Sequence, residues 1–204
     1  MTTLLSSTPL LILLFCLFGY LAGSLMPSVW ITRAIKGVDV RDHGSGHATT
    51  TNTIRQAGFL AGGFVFLLDV LKGFLPTYLA AQMIPSPWAP VLVSVSAVIG
   101  HCWPVFGGFR GGMGLATAGG GLLALNPLAL LIAVGVLVTL LLILRHGAKA
   151  TIFAALLITP VFWLFNLRGM ILWMAGFFAL IISIRFLSDW NRKYRELWLD
   201  REKK

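Results

Sequence analysis

From residue 8 to residue 187 the chain is a train of apolar runs with almost no charge inside them, and that pattern confines it to a bundle of membrane-spanning helices. A backbone entering hydrocarbon must pair its own N–H and C=O groups, and a helix does so within one segment. The runs cover about 8–31, 58–83, 88–106, 115–125, 128–144, 150–165 and 170–187. Between them lie breaks that a helix does not cross easily: a polar loop at 32–57, the prolines Pro85, Pro87 and Pro90, a glycine-rich segment, Asn126-Pro127, RHGAK at 145–149 and NLRG at 166–169. Only 11% of the 204 residues are charged, against about a quarter in a soluble domain. The expectation is an all-α integral membrane protein of about seven transmembrane helices. It forms one domain over 1–187, followed by a charged tail, 188–204, lying as a helix near the surface.

The fourth run is too short to cross alone. Its eleven residues rise only about 16 Å, roughly half the hydrocarbon thickness. Either its neighbours extend it, or the glycine segment before it dips into the membrane under a cover of protein or water. The first run has no basic flank ahead of it and reads as an uncleaved span. The small-residue tract 18–24 is the one feature compatible with cleavage as a signal peptide.

The net charge of +9 is unevenly placed. If the loop 32–57, the segment 107–114, the loop 145–149 and the tail (taken with Arg185) share a side, they carry fourteen of the sixteen Lys and Arg residues, leaving Arg168 opposite and Lys72 within a span. Basic loops stay on the cytoplasmic side, so seven spans put the N-terminus outside and the C-terminus in the cytoplasm. Nucleic-acid binding would need a basic face on a soluble fold, which this pattern does not offer. Cys16 and Cys102 give neither a disulfide framework nor a metal spacing. His43 and His47 are four apart but lack a further ligand, so no metal or cofactor is expected.

Two segments on that side carry possible chemistry. In GHCWPVFGGFRGGMGLATAGGG, residues 100–121, Arg110 is the one formal charge among eight glycines beyond Gly100, and Gly111, Gly112 and Gly114 leave backbone N–H groups open to an anion. A helix starting near Leu115 would aim its positive end at the same point. The competing reading of such glycines is close helix packing. The segment GSGHATTTNTIR, residues 44–55, combines turn-forming glycines with short hydroxyl and amide side chains. Ser45, Gly46, Thr51 and Asn52 could meet a phosphate there, and Arg55 could grip it with two parallel hydrogen bonds. The alternative is a solvated loop with Thr51 or Asn52 as the N-cap of the second span. His101 and His47 are possible proton acceptors, although either could be a simple polar cap. Arg145 and Arg185 add positive charge on the same side. A Ser/His/Asp triad finds no support, since the acids outside the tail are Asp39, Asp42 and Asp69. Asp69 and Lys72, three apart in the second span, share a helix face and read as a structural pair, or alternatively as part of an ion path.

At this point the chain resembles the bacterial acyl-phosphate-dependent glycerol-3-phosphate acyltransferases, the PlsY family. That family has G-S-G-N-x-G-A-T-N-x-x-R where this chain has GSGHATTTNTIR. It shares LLDVLKG at 67–73, and has G-H-x-F-P-V-F-x-x-F-K-G-G-K-G-V-A-T where this chain has GHCWPVFGGFRGGMGLAT. LRH at 144–146 is similar to its T-R-Y. The resemblance covers about 19–187 and implies a seven-span, metal-free enzyme with a cytoplasm-facing site. Such an enzyme transfers an acyl chain from acyl phosphate to the 1-hydroxyl of glycerol 3-phosphate in a lipid membrane. Carried over by position, Ser45, Gly46, Thr51, Asn52, Arg55, Gly100, His101, Pro104, Gly111, Gly112 and Gly114 match, Arg110 replaces a lysine, and Arg145 matches the later basic residue. His47 stands where the family has asparagine, Thr50 replaces alanine, and Met113 replaces a lysine. In the worn last motif, R-H-x-x-N-I, Arg185 is kept, Phe186 takes the histidine's place and Asp189 the asparagine's. Three functions fit the pattern: an acyltransferase with this or a related acceptor, a non-catalytic lipid- or phosphate-binding relative, and a small transporter using Asp69 and Lys72.

Overall fold

The structure, a computed structural model, describes residues 2–192, with side chains from residue 8 onward. Nine α-helices and two single 3₁₀ turns account for its regular elements, with no strand among the described residues. Most of the expected tail lies outside them.

The first apolar run is two helices. α1 (Thr2–Gly23) stops at a short break, and α2 (Pro27–Lys36) restarts with Pro27 in its first turn, where a missing N–H costs nothing. The break orphans the carbonyl of Leu25. Lys72 reaches across from the second span to donate to it at 2.9 Å, while also holding Asp69 at 2.8 Å. The Asp69–Lys72 pair is thus part of the scaffold that seats this break.

α3 (Thr50–Ala57) is a short polar helix, followed at Gly58 by α4 (Phe59–Met83) and then by α5 (Trp88–Cys102). α6 (Leu115–Leu125) occupies the expected short run. α7 (Pro127–Leu144) is capped by Asn126, whose side chain accepts from the N–H of Ala129 at 3.0 Å. α8 (Gly147–Leu164) begins at His146, and α9 (Met170–Leu187) follows the NLRG turn. Six stretches are long and apolar enough to cross a membrane, α1 and α2 counting together; α6 is the shorter seventh apolar helix.

α4 packs against α6 and α5, α1 against α5, and α8 between α7 and α9, with α5 and α9 joining the two groups. The closest approaches are made by glycine. A Cβ on Gly73 or Gly120 would run into the backbone of the opposite helix at the α4–α6 crossing, at Thr117 and Val70 respectively. Gly23 and Gly100 do the same between α1 and α5. With water absent, this intimacy of backbones supplies the dispersion contact that holds the helices together. The largest buried cluster joins α5, α6, α8 and α9 around Met174, Phe162 and Phe178. Large apolar side chains cover the outside, as on Leu60, Leu131, Leu142 and Leu164.

The segment before α6 resolves the short-helix puzzle. Residues 111–114 are buried and run back along the end of α5. The N–H of Gly112 donates to the His101 carbonyl at 3.0 Å, and the Gly111 carbonyl accepts from the N–H of Ala48 at 3.3 Å. Protein covers and pairs this irregular backbone, which is the condition for bringing it to membrane depth.

Candidate active site

The polar loop after α2 is organised by one amide. Asn52 is fully buried. Its Nδ2 donates to the carbonyls of Val40 (2.7 Å), His43 (2.9 Å) and His47 (3.1 Å), and its Oδ1 accepts from the N–H of Ser45 (3.2 Å). The loop therefore wraps around Asn52, and Gly44 is glycine because a Cβ there would overlap this side chain. Thr49, two or three residues earlier than the sequence suggests, caps α3 by accepting from the N–H of Asn52 at 3.3 Å.

The wrapped loop faces a cavity of about 460 Å³ enclosed by α3, α4, α5, α6, α7, α8 and α9. Ser45, His47, Thr51, Arg55, His101 and Gly114 stand on its wall, and Thr50 and Asp69 join them. Arg55 is 3% exposed and is the one cation among the described residues that line the cavity. Two helices start at the wall. Thr50 and Thr51 open α3, while Gly114, with φ of 86°, turns the chain so that Leu115 and Ala116 open α6. The first N–H groups of each helix have no intrahelical acceptor and carry the positive end of the helix dipole. A buried guanidinium and two helix starts among the lining residues give the cavity positive potential of the kind that suits an anion. The Oγ of Ser45 and the Nδ1 of His101 are buried there with no hydrogen-bond partner among the described residues. Asp69 Oδ1 lies 3.6 Å from that Nδ1, beyond hydrogen-bonding reach, and is neutralised by Lys72.

The opposite wall is apolar: Phe66, Met113, Leu137, Leu141 and Phe186. It continues through Leu115, Leu137 and Thr151 into a narrower slot of about 120 Å³ between α6, α7, α8 and α9, lined by side chains such as Leu130, Ala154 and Phe162.

Other expected residues sit behind or outside this wall. Asn52 is the hub of the loop. Gly111 and Gly112 are packed on His101, since a Cβ on Gly112 would meet the imidazole Nε2; here the packing reading of the glycines holds. Arg185 donates Nε to the Gly112 carbonyl (2.8 Å) and Nη2 to that of Gly111 (3.1 Å), stapling this segment from α9. Gly46, with φ of 72°, makes an exposed turn that suits glycine. Arg145 is exposed at the end of α7, off the cavity wall. Arg110 is also off it, 61% exposed, and pairs with Asp42 at 3.3 Å. The three arginines 55, 110 and 145 are therefore not gathered around one ligand.

His47 is held from both sides. Its Nε2 is 3.0 and 3.1 Å from the Asp189 oxygens, and its Nδ1 is 3.4 Å from Arg185 Nη2. A guanidinium only donates, so Nδ1 accepts and the proton sits on Nε2, facing the carboxylate; this tautomer is assigned from the network. That leaves the imidazole no nitrogen to take a proton from a substrate. It is a holding residue in this arrangement.

Outside the cavity, Arg41 ties the two loops together. It donates to the carbonyls of Gly107 (2.7 Å) and Arg110 (3.3 Å), and its guanidinium is fixed by Asp39 through Nε (3.0 Å) and Nη2 (2.8 Å). The hydrogen bonds from Arg41 hold the Asp39 carboxyl at about 2, below its usual 3.8. A depressed carboxyl stabilises the fold fully above its unfolded value, and the contribution is lost as pH falls through the folded one. We therefore expect a loss of stability between about pH 4 and 2 that the Asp39→Asn variant lacks, read from thermal unfolding across that window.

Fold and site together define an integral membrane protein of helical class, with a cavity lined by a buried arginine, two helix starts and apolar side chains, and an apolar slot beside it. A family model described as glycerol-3-phosphate acyltransferase matches residues 13–196. Among curated relatives of that name, one from Myxococcus xanthus is 45% identical over 139 residues, 68% of this chain and 72% of the relative. Another, from Rubrobacter xylanophilus, is 46% identical over 114 residues, 56% of this chain and 57% of the relative. Matches to several further relatives likewise span little more than half of their length. The fold is similar to crystal structures of PlsY, an integral membrane glycerol 3-phosphate acyltransferase. Its glycerol 3-phosphate form has TM-score 0.79 and 34% identity, covering 89% of this chain and 90% of that one. The lysophosphatidic acid form has TM-score 0.78 and 32% identity, over 95% and 99%. The chain belongs to the glycerol-3-phosphate acyltransferase family.

Proposed function

We propose that this protein transfers an acyl chain from acyl phosphate to glycerol 3-phosphate, or a closely related acceptor, at the cytoplasmic face of a bacterial plasma membrane, giving lysophosphatidic acid and phosphate. The reading rests on family membership and on one observation above all: the cavity lined by Arg55 and the apolar slot adjoin, sharing Leu115, Leu137 and Thr151 as lining residues. An acyl phosphate has that polarity, with its phosphate at one end and its hydrocarbon at the other. Orientation follows the basic loops, with the C-terminus in the cytoplasm.

In this reading Arg55 and the first N–H groups of α3 and α6 hold phosphate and stabilise the charge that gathers on it. The acceptor hydroxyl oxygen attacks the acyl carbonyl carbon. The carbon–oxygen bond to phosphorus breaks, phosphate leaves with the electron pair, and the hydroxyl proton passes to a phosphate oxygen. Ser45 Oγ and His101, both on the wall, orient the reacting groups by hydrogen bonds. Phosphate is already a good leaving group, so holding and aligning supply most of the acceleration.

The test is acyl-phosphate consumption by the purified protein with and without glycerol 3-phosphate. Acceptor-dependent formation of lysophosphatidic acid supports the reading. Consumption without an acylated product would point to a hydrolase, no consumption to the non-catalytic relative, and flux into vesicles without chemistry to a transporter. The slot makes a separate prediction. Ala154→Phe, which fills it, is expected to raise KM for long acyl phosphates relative to short ones by about tenfold, as loss of a few buried methylenes implies.

A further inference from the structure

Two of the positions at which this chain departs from the family pattern, 142 residues apart in sequence, are bonded to each other. His47 and Asp189, standing where the pattern has asparagine at both places, meet at 3.0 Å. Asp189 is 1% exposed and also faces Arg192 Nε at 3.4 Å. Arg192 in turn donates Nη1 to the carbonyl of Ser45. Arg185, one turn before Asp189, supports the other edge of His47 and staples Gly111 and Gly112. Trp190 fastens the same stretch to α8, its ring tilted against that of Phe153 with centroids 6.3 Å apart and lying under the Lys149 ammonium at 5.4 Å. Residues 185–192 thus form a strap across the loop that carries Ser45.

We infer that Asp189 is a positioning residue of the phosphate site: through His47 and Arg192 it fixes the Ser45–His47 peptide against the cavity, and His47 and Asp189 act as one matched pair. The inference rests on the reading of the cavity as a phosphate site. Its physical basis is that a buried carboxylate tolerates its place only while its donors are present. Removing His47 alone takes one donor from the buried Asp189 carboxylate and leaves Arg192 drawing it from another side, and the loop follows. Removing the Asp189 charge alone leaves Arg192 without its carboxylate and gives His47 Nε2 only a neutral amide, whose NH2 can turn toward the ring as readily as its oxygen. A pair of amides can replace both, since each offers a donor and an acceptor of suitable reach. Met113 and Phe186 make this support more consequential, because they put no charge on the wall and leave Arg55 as its cation.

The experiment is a double-mutant cycle on the full chain in detergent: His47→Asn, Asp189→Asn and the two combined. Each protein is measured for binding of inorganic phosphate, for kcat and KM of acyl transfer, and for thermal midpoint. Each single variant is expected to weaken phosphate binding and lower kcat by about tenfold or more, and the double variant to recover to within about threefold of the parent, the non-additivity of residues in one network. Additive losses would overturn the inference, as would single variants that move only the thermal midpoint while the folded protein binds phosphate unchanged. The two readings separate cleanly. A parent that binds phosphate with a non-additive cycle but acylates no acceptor leaves the positioning role standing and removes the acyltransferase reading. A parent that acylates glycerol 3-phosphate with an additive cycle does the reverse.

Discussion

Arg55→Ala is expected to lower kcat/KM for acyl transfer by about two to three orders of magnitude, the loss seen when one preorganised charge-stabilising donor is removed. The size follows from where the residue sits. Arg55 lies on the last turn of a helix only eight residues long, 3% exposed, the one cation among the described residues lining the cavity. Arg110 and Arg145 stand off the wall, so neither replaces it without moving a loop. Arg55→Lys keeps the charge and loses the planar fork, and should recover only part of the rate. Steady-state kinetics over a range of acyl-phosphate concentrations checks both variants, with binding of inorganic phosphate as the companion measurement. Near-parental kinetics for the alanine variant would remove Arg55 from the reaction.

Asn52→Leu is expected to be the most damaging single change to the site's architecture without touching its wall. Leucine fills the volume but abandons three carbonyls and one N–H that now face only apolar atoms. Each stranded buried group costs about 1–3 kcal/mol. Partial relaxation of the loop brings the expected total to about 3–5 kcal/mol, at the large end for one residue. The thermal midpoint in detergent should fall and transfer activity should vanish with it. Asn52→Asp should be nearly as harmful, because a carboxylate would point acceptor at acceptor toward Val40, His43 and His47. If the loop merely frays locally, protease sensitivity confined to residues 37–49 would show that in place of a global shift.

The membrane spans were legible because hydropathy and helix punctuation are local properties. Asn126-Pro127 marks a cap and a first turn wherever it occurs, and Gly114 ahead of Leu115 announced the start of α6. The break at Ser24–Met26 was not legible. Nothing within the run separates Pro27 at a new helix start from a proline kink, and the residue that compensates the break, Lys72, comes from another helix. Asn52 was read as a ligand to phosphate, but its partners are backbone carbonyls, which carry no sequence signature. In the sequence Arg110 and Arg185 are alike as cations assigned to the same side. Their different fates depend on which way each side chain leaves its backbone: Arg110 outward to Asp42, Arg185 inward to the Gly111 and Gly112 carbonyls. Asp189 looked like an added negative charge in a phosphate site, and it is in fact matched by His47 and Arg192.

α7 has a single buried residue, Ala129, yet Leu130, Ala133, Val134 and Leu137 form one side of the slot. Its other side exposes Leu131, Leu142 and Ile143. In a bilayer, one helix would therefore be all that separates a hydrocarbon chain lying in the slot from the surrounding lipid.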